Sequence, residues 1–471
     1  MKYISTRGNS PTTTAEEAIL RGLAPDGGLY VPQSFPALSD RENLKELSYP
    51  ELCAEVLSPF FSQITKAELA DAAKKAYARF SIDPPVKLVK RDSFHLLELF
   101  HGPTLAFKDM ALCLLPHLMT YAKKHLGSSS KHLLLTATSG DTGKAAMEGF
   151  AGVEGFEVIV FYPKGGVSPL QEKQMLTQSS KNTTVIGLAG SFDDAQRGVK
   201  NMLASTEFRA KLSEHDYELA SANSINLGRL LAQVVYYVYA SIHAEDMPLR
   251  FCVPTGNFGN ILAAHWAGGM GVPIEELLVA TNENDVLDIF FKTGNYDAGR
   301  KLILTNSPSM DILVSSNLER LLFEKGGAEA VRSAMRQLEN KRRFFWQGSM
   351  DGFSSGRISE AEAGEEILRM WNEEKIVLDP HSAVASALLH KRKERGIVVS
   401  TASPYKFPHF VLESLGAKTG KDPFEDMELL SKKTGLSVPQ AMQKLKSAPV
   451  TQDRVCAFSD MERTVSEVLN V

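Results

Sequence analysis

The chain has 471 residues, of which 43% are hydrophobic and 23% are charged, and these are ordinary values for a globular protein. That length is enough for two or three domains and a large core. The formal net charge of -4 excludes a strongly basic surface, so we expect no binding to nucleic acid or to an anionic membrane. No apolar run is long enough to span a bilayer.

The N-terminus and the cysteines together indicate a cytoplasmic protein. Residues 1–7 lack the apolar core of a signal peptide and the Arg- and Ser-rich character of a transit peptide. Cys53, Cys113, Cys252 and Cys456 show no CxxC spacing, which favours buried, reduced thiols over a disulfide framework or a zinc site. The histidines are scattered as well, and we predict no metal site.

In chain order, about the first 90 residues are predicted to form a mainly helical region. Thr14 has the character of an N-cap, and further helices are predicted over 50–57 and 66–80. An Asp-Pro-Pro run at 83–85 then breaks the chain and marks a boundary between domains.

From residue 94 the pattern becomes one of strands separated by helices. Strands are predicted over 94–100, 132–137, 156–162, 183–188, 249–253, 276–280, 376–378 and 397–400. This alternation predicts an α/β fold with largely parallel sheets and helices on both faces. Residues 317–371 are predicted to form a mostly charged helical insert, and the tail after Lys421 is predicted to be helical.

Three unusual loops directly follow predicted strands. They lie at 139–143, 255–260 and 401–406. Functional sites in open α/β sheets lie outside the carboxyl ends of the strands. We therefore expect these three loops to meet at one site.

The segment at 101–109, His-Gly-Pro-Thr-Leu-Ala-Phe-Lys-Asp, contains a candidate nucleophile. Lys108 follows a Gly-Pro turn signal and precedes an apolar run over 110–118. Apolar neighbours disfavour the charged form of a lysine and make it a usable amine nucleophile. Read alone, a lysine at a helix start is far more often a solvated side chain, so only the rest of the chain supports a reactive amine here.

Two of the loops offer backbone N–H groups at the start of a helix. The loop at 255–260 reads Thr-Gly-Asn-Phe-Gly-Asn, and such donors at a helix N-terminus suit a phosphate. The loop at 139–143 reads Ser-Gly-Asp-Thr-Gly and suits a phosphate or a carboxylate. It is not a nucleotide P-loop, because Ala145 stands where Ser or Thr is required. Either loop is also compatible with a tight turn that binds no ligand.

A further polar cluster, at 223–229, precedes a long apolar helix. Arg229 could make a bidentate contact to a phosphate or a carboxylate, although the pattern read alone favours a helix cap with a surface arginine. The run Asp-Pro-His-Ser at 379–382 is predicted to cap another helix.

Together these segments resemble the threonine synthase family, pyridoxal-phosphate enzymes with the tryptophan-synthase-β-like fold (fold type II). The resemblance extends over nearly the whole chain and includes residues 5–8, 24–29, 101–109, 139–143, 162–165, 223–229, 256–260, 281–285, 310–312 and 314–317. It implies two open, mostly parallel twisted sheets flanked by helices. It also implies an N-terminal helical region over 1–90 and a two-lobed catalytic region over 91–471, with a smaller lobe at roughly 100–220.

The resemblance further implies a role for each candidate residue. Lys108 would hold pyridoxal 5'-phosphate as a Schiff base and would act as the base for the Cα proton of the substrate. Further cofactor contacts are implied for Asp141, Gly256, Asn257, Phe258, Gly259, Asn260 and Thr401. Substrate contacts are implied for Ser139, Gly140, Thr142, Asn223, Ser224 and Arg229.

The implied reaction converts O-phospho-L-homoserine and water to L-threonine and phosphate. The partner is then a small molecule, and the protein is expected to be a monomer or a homodimer. Three alternatives stay open from the residues themselves. The first is a pyridoxal-phosphate dehydratase or β-replacement enzyme, which needs no phosphate site at Arg229. The second is a phosphate- or nucleotide-binding protein without pyridoxal phosphate. The third is a cofactor-binding relative that has lost catalysis and serves as an interaction protein.

Overall fold

The computed structural model describes residues 1–38, 41–138, 140–245 and 247–471. Its strands are β1 (Tyr3–Ser5), β2 (Tyr30–Pro32), β3 (Lys87–Lys90), β4 (Phe94–Glu98), β5 (Lys131–Ala137), β6 (Phe156–Pro163), β7 (Thr183–Ala189), β8 (Tyr217–Ala220), β9 (Arg250–Pro254), β10 (Glu276–Thr281), β11 (Asn295–Asp297), β12 (Arg343–Phe345), β13 (Phe353–Arg357), β14 (Gly396–Ser400) and β15 (Val455–Ala457).

The helices cover the faces of the sheets and build the N-terminal region and the tail. They are α1 (Ala15–Arg21), α2 (Arg41–Lys45), α3 (Tyr49–Leu57), α4 (Lys66–Tyr77), α5 (Lys108–Leu112), α6 (Leu115–Leu126), α7 (Asp141–Phe150), α8 (Pro169–Leu176), α9 (Phe192–Ala204), α10 (Thr206–Ser213), α11 (Leu227–His243), α12 (Gly259–Gly269), α13 (Val286–Thr293), α14 (Leu318–Lys341), α15 (Glu360–Glu374), α16 (Pro380–Arg392), α17 (Pro408–Ser414), α18 (Pro423–Thr434), α19 (Gln440–Ser447) and α20 (Met461–Leu469).

Two mostly parallel sheets form the framework. One has six strands in the order β13-β10-β9-β14-β4-β3, and its neighbours are parallel except for the antiparallel pair of β3 and β4. The other has five strands in the order β15-β7-β6-β5-β8, and all its pairs are parallel. Nearly every residue of β5 and β6 is buried, as is typical of parallel strands covered by helices on both faces. The predicted fold class is confirmed.

One predicted strand is wrong, and several short strands were not predicted, among them β3, β8, β13 and β15 of the two main sheets. The segment 376–378 pairs with no strand in the part of the chain that the structure describes; Val377 and Leu378 instead pack in an apolar cluster. A short apolar run before a helix resembles a strand locally, and only distant packing partners decide otherwise. Strands β8 and β13 escaped prediction because the first is short and the second, Phe-Ser-Ser-Gly-Arg, is largely polar. The lobe boundaries stay predictions.

The N-terminal region packs beside α11, the long helix that bears Arg229. Helices α1 and α3 contact α11, and the predicted cap at Thr14 is confirmed because its side chain accepts the N–H of Glu17. Asn226, which caps α11, donates from Nδ2 to the carbonyl oxygen of Ile19 at 2.8 Å. The N-terminal region therefore touches the loop that leads into α11.

Helix α11 lies in the largest apolar cluster and is buried on almost all sides. Its sequence, Leu-Gly-Arg-Leu-Leu-Ala-Gln-Val-Val-Tyr-Tyr-Val, is apolar around the whole circumference, which is the pattern of a core helix. Each fully buried Leu or Val contributes roughly 1.5–3 kcal/mol. The helix is thus a firmly held base for the polar residues at its start.

The cysteine prediction is confirmed, since all four cysteines are buried and free. Each helix within the described ranges is too short or too polar to span a bilayer.

Candidate active site

The carboxyl ends of strands from both sheets converge on one pocket. The three loops singled out in the sequence follow β5, β9 and β14, and the segment that carries Lys108 follows β4. Side chains of the loops after β5 and β14 contact each other and the Lys108 segment, and the loop after β9 adjoins the turn of Ser309, whose side chain contacts Lys108 and Asp141.

Lys108 begins α5 after a tight turn that its neighbours stabilise. Leu105 adopts a left-handed φ of 61°, and Asp109 accepts the N–H and the hydroxyl of Thr104 at 2.8 and 2.6 Å. A Cβ at Gly102 would lie 2.5 Å from the Cβ of Asp109, so only glycine fits there. Burial raises the pKa of Asp109 to about 6. The Gly-Pro pair thus marks a tight turn at which steric contact with Asp109 permits only glycine.

Hydrogen bonds join this turn to the loop after β14. The N–H of Phe107 donates to the carbonyl oxygen of Thr401 at 2.8 Å, and the N–H of Ser403 donates to that of Leu105 at 3.0 Å. The predicted residues Lys108 and Thr401 therefore lie on segments that are fixed to each other. The Thr401 side chain is buried and makes no hydrogen bond within the described part of the chain.

The amine of Lys108 lies in a desolvated environment, with its side chain 11% exposed. Its Nζ is 3.3 Å from Oδ2 of Asp141 and 2.9 Å from Oγ of Ser309. Burial lowers the pKa of Lys108; the Asp141 carboxylate opposes this effect, while Lys406 and Arg229 add to it. A lowered pKa increases the fraction of neutral amine, which is the nucleophilic form.

Asp141 is shared by two lysines. Its Oδ1 is 2.7 Å from Nζ of Lys406 and accepts the amide of Gln171 at 3.0 Å. Burial alone would raise the pKa of Asp141, but Lys406 and Lys108 hold it well below its usual range. The sequence interpretation identified Asp141, Lys108 and the loop at 401–406, but it assigned no role to Lys406 within that loop and did not find Gln171.

The glycine-rich loop between β9 and α12 has the geometry expected of a phosphate site. Phe258 adopts a left-handed φ of 65° directly before α12. A Cβ at Gly256 would lie 2.7 Å from the carbonyl oxygen of Ser309, so no side chain fits between the loop and that turn. Asn257 is exposed, whereas Gly259 is buried. The loop therefore presents backbone donors at the start of a helix.

Asn260 leaves a buried donor without a partner. Its Oδ1 accepts the hydroxyls of Tyr236 and Tyr237 at 2.6 and 2.7 Å, while its Nδ2 has no partner among the described residues. A buried donor without an acceptor costs about 1–3 kcal/mol. Nδ2 therefore needs an acceptor that a ligand can supply.

Asn317 connects the glycine-rich loop to the loop before α11. Its Nδ2 donates to the carbonyl oxygens of Asn257 and Ser224 at 3.2 and 3.1 Å. Its Oδ1 accepts Nη1 of Arg320, whose other nitrogens donate to the carbonyl oxygens of Tyr30 and Ile225 at 2.9 and 2.6 Å. The start of the predicted insert thus supports the site. The local sequence around Asn317 and Arg320 is that of an ordinary charged helix start, so it does not indicate that these two residues connect the loops.

Arg229 lies in the first turn of α11 and is buried. Its Nη1 donates to the carbonyl oxygen of Ala222 at 2.9 Å, while Nε has no partner among the described residues. Burial lowers the pKa of Arg229 to about 10. Asn223 and Ser224 are half-buried beside it in sequence. The interpretation of Arg229 as a surface arginine is wrong.

The loop after β5 is held by a threonine that the sequence interpretation missed. The hydroxyl of Thr138 accepts the N–H groups of Gly140 and Gly143, both at 3.0 Å. Gly140 has a φ of 139°, and a Cβ there would meet the Gln171 side chain within 2.6 Å. Thr142 is half-buried at the start of α7. Ser139, also predicted here, lies outside the described residues.

The pocket fits a ligand that carries both a carbonyl group and a phosphate. Lys108, Lys406 and Arg229 supply positive charge, and of the described carboxylates it is Asp141 that pairs with Lys108 and Lys406. Excess positive charge in a desolvated pocket favours anions. The unpaired donor of Asn260 and the N–H groups of its loop suit the phosphate, and a neutral lysine amine can bond to the carbonyl carbon.

A phosphorylated aldehyde held by a lysine is the defining feature of the enzymes that use pyridoxal phosphate. The family described as "Pyridoxal-phosphate dependent enzyme" matches residues 83–401. The chain is therefore a pyridoxal-phosphate enzyme, and its cofactor is pyridoxal 5'-phosphate.

Comparison with known proteins narrows this class. A family described as "Threonine synthase N terminus" matches residues 2–77. The threonine synthase of Saccharomyces cerevisiae is 37% identical over 461 residues, which cover 88% of this chain and 89% of the yeast protein. That of Corynebacterium glutamicum is 39% identical over 445 residues, covering 88% and 91%. The crystal structure of pyridoxal-phosphate-bound threonine synthase from Brucella melitensis matches with a TM-score of 0.88 at 36% identity, over 100% of both chains. The chain belongs to the threonine synthase family.

Proposed function

We propose that the protein converts O-phospho-L-homoserine and water to L-threonine and phosphate. The observation that carries this proposal is Arg229, a buried cation near Lys108 with no ion-pair partner among the described residues. A phosphate ester supplies the anion that such a cation needs. A dehydratase that acts on an unphosphorylated amino acid needs no such group. Membership of the threonine synthase family supports the same reaction.

The residues around Lys108 would hold the cofactor. Lys108 would bond covalently through Nζ, and the loop from Gly256 to Asn260 would donate hydrogen bonds to the phosphate. Thr401 would meet the ring nitrogen with a neutral hydroxyl, which cannot hold that nitrogen protonated as a carboxylate would. Asp141 would lie beside the amine. When bound, pyridoxal phosphate supplies an electron sink for the electron pair left when a proton departs from the substrate.

Two sets of donors would hold the substrate on either side of Lys108. Arg229 provides the charge for the phosphate, and N–H groups at the start of α7 suit the carboxylate. The residues proposed for these contacts are Asn223, Ser224 and Arg229 for the phosphate, and Ser139, Gly140 and Thr142 for the carboxylate. Two fixed anion sites would orient the reacting carbons between them.

Lys108, released when the amine of the substrate takes its place on the cofactor, would move the proton at Cα of the substrate. Its lowered pKa keeps a neutral fraction of the amine available to accept that proton. Asp141 then stabilises the ammonium that forms, and Lys406 keeps Asp141 ionised. Over the whole reaction, phosphate leaves Cγ and water adds at Cβ.

We also propose a cytoplasmic protein that is a monomer or a homodimer and binds no nucleic acid. Four buried, free cysteines and a net charge of -4 support this setting. Sedimentation of the purified protein, with and without RNA, tests the oligomeric state and the binding.

The first experiment is an absorption spectrum of the purified protein, followed by borohydride reduction and peptide mapping. We expect a yellow protein with the pyridoxyl group fixed on Lys108, together with release of phosphate and L-threonine from O-phospho-L-homoserine. Lys108→Ala should abolish both the fixation and the turnover. Lys144→Ala is the matched control, because this nearby lysine is paired with Glu148 at 2.9 Å.

Two results would contradict the proposal. Substantial phosphate release by Lys108→Ala would remove the lysine from the chemistry. Release of ammonia from serine or threonine, without turnover of the phosphate ester, would favour the dehydratase alternative instead.

A further inference from the structure

Nζ of Lys108 has a hydroxyl neighbour that neither the predicted motifs nor the proposed reaction uses. Oγ of Ser309 lies 2.9 Å from Nζ of Lys108 and 3.4 Å from Oδ2 of Asp141. Ser309 is half-buried in a short turn, Pro308–Met310, that belongs to no sheet strand. It is 201 residues from Lys108 in the chain. Its position next to the reactive amine therefore calls for an explanation.

A buried histidine and aspartate hold the backbone of Ser309 in place. The N–H of Ser309 donates to Nε2 of His381 at 3.2 Å, and Nδ1 of His381 lies 2.8 Å from Oδ1 of Asp379. Because Nε2 accepts, the imidazole proton lies on Nδ1 and is donated to Asp379. Asp379 also accepts the N–H groups of His381 and Ser382, which confirms the predicted cap of α16. Capping alone does not require a histidine facing Ser309.

Hydrogen bonds also hold the residue that follows the Ser309 turn, Asp311. Asp311 accepts the N–H of Thr305 at 2.8 Å and the amides of Asn282 and Asn284 at 2.8 and 3.0 Å. Buried polar groups that are all satisfied specify a single geometry. The hydroxyl of Ser309 is therefore held at Lys108 from both sides.

The hydroxyl of Ser309 can both donate and accept a hydrogen bond at the amine, which the neighbouring carboxylate cannot. The ionised Asp141 can only accept a hydrogen bond, whereas Ser309 can accept from an ammonium and can donate to a neutral amine. Ser309 thus keeps a partner for Nζ before and after a proton arrives. Charge-assisted hydrogen bonds are the stronger of the two kinds, so Ser309 favours the protonated form and makes Lys108 a better proton acceptor.

We propose that Ser309 is a further catalytic residue, which contacts the amine of Lys108 and stabilises it when it takes the proton from the substrate, and that His381 positions Ser309. The C–H bond at Cα breaks, its electron pair stays with the substrate and its cofactor, and the lone pair of Nζ binds the proton. Ser309 changes no bond of its own. The inference rests on the proposed function, because it takes Lys108 as the base.

The charged groups that face Lys108 set the background for the test. Asp141 favours the ammonium, while Lys406 and Arg229 disfavour it, and Asp109 follows Lys108 on the same helix. None of these groups is changed by the substitution Ser309→Ala. A shift in the titration of Lys108 would therefore report the lost hydroxyl.

The test measures the pKa of Lys108 in the full-length protein without cofactor, by trace acetylation between pH 6 and pH 10 and peptide mass mapping. We expect Ser309→Ala to lower this pKa by about 0.5–1 unit. With cofactor bound, kcat should fall roughly 10- to 100-fold, while KM and the cofactor Kd stay within about threefold. Ser349→Ala, an exposed loop serine, is the matched control and should behave as the unmodified protein.

A second variant tests the positioning residue. His381→Phe keeps a ring against Phe407, whose centroid lies 5.0 Å away, but removes the acceptor for the N–H of Ser309. We expect the pKa of Lys108 and kcat to fall in this variant as well, but by less than in Ser309→Ala.

The outcomes separate this inference from the function on which it rests. An unchanged pKa of Lys108 in both variants overturns the role of Ser309, whether or not kcat falls. If the unmodified protein releases no phosphate from O-phospho-L-homoserine, the proposed function fails, and the acetylation measurement still reports whether Ser309 contacts the amine.

Discussion

Arg229 should lower the stability of the ligand-free protein while making substrate binding possible. It is 3% exposed, makes one hydrogen bond, to the carbonyl oxygen of Ala222, and leaves Nε without a partner among the described residues. Burial lowers its pKa from 12.5 to about 10. At about 1.4 kcal/mol for each pKa unit, its charge costs on the order of 3 kcal/mol when no anion is bound.

The substitution Arg229→Met removes that cost and keeps most of the volume. It also leaves one carbonyl oxygen without its donor, which costs about 1–3 kcal/mol, so a net gain of up to about 2 kcal/mol is expected. The entropy of unfolding is about 2.1 cal/mol/K per residue, or roughly 1 kcal/mol/K for this chain. The Tm of the cofactor-free protein should therefore not fall, and should rise by up to about 2 °C.

The same substitution should greatly weaken binding of the substrate. Truncation of one partner of a buried charge pair costs about 2–5 kcal/mol, which corresponds to a rise in KM of roughly 30- to 4,000-fold. The cofactor Kd should stay within about threefold, because Arg229 lies outside the glycine-rich loop. With the cofactor bound, so that the glycine-rich loop is filled, inorganic phosphate should stabilise the unmodified protein against heat and should not stabilise the variant.

Arg320 provides the matched control, because it is a second buried arginine and its side-chain nitrogens donate hydrogen bonds. It donates to the carbonyl oxygens of Tyr30 and Ile225 and to Asn317. Burial lowers the pKa of Arg320 to about 9, so its charge also costs roughly 5 kcal/mol. Arg320→Met, however, strands three acceptors at about 1–3 kcal/mol each, so its Tm should rise less than that of Arg229→Met or fall. Calorimetry of both variants without cofactor is the assay. An equal loss of Tm in both variants, or a KM of Arg229→Met within threefold of normal, would refute the reasoning.

Two further substitutions test the fold and the link between the loops. His132 is buried, and burial together with Lys123 lowers its pKa from 6.5 to about 4. Between these two pH values the unfolded state binds more protons than the folded state. The free energy of unfolding therefore falls as the pH falls from about 6.5 to about 4. His132→Phe should abolish this loss, worth about 2 kcal/mol at pH 5, as measured by urea unfolding at pH 7.5 and pH 5; an unchanged pH dependence would contradict the assignment. Asn317→Asp replaces a donor to two carbonyl oxygens by an acceptor, so both the cofactor Kd and the substrate KM should rise roughly tenfold or more. A change in only one of the two constants would show that Asn317 does not connect the loops.

Local sequence was sufficient where one short segment carries both the turn and the chemistry. Gly102 and Lys108 lie within one turn of chain, and the glycine-rich loop carries its own backbone geometry at Phe258. Such features are dictated by steric limits on a few neighbouring residues, so they can be recognised without a partner.

Residues that act from a distance could not be found in this way. Lys406, Ser309 and Asn317 reach the pocket through the order of strands and the path of long connections, not through any spacing in the sequence. A lysine, a serine or an asparagine in a loop has the same local character whether it faces a site or solvent. Only the packed structure distinguishes the two.

The sequence by itself determined the alternation of strands and helices, the reactive lysine and the loops that end the strands, because each depends on the period and sterics of nearby residues. The tertiary structure decided which loops meet, that Arg229 is buried without an ion-pair partner among the described residues, and that Ser309 contacts Lys108. Burial and charge pairing depend on residues far apart in the chain, and the parallel pairing of β14 with β4 is what brings Thr401 to the segment of Lys108.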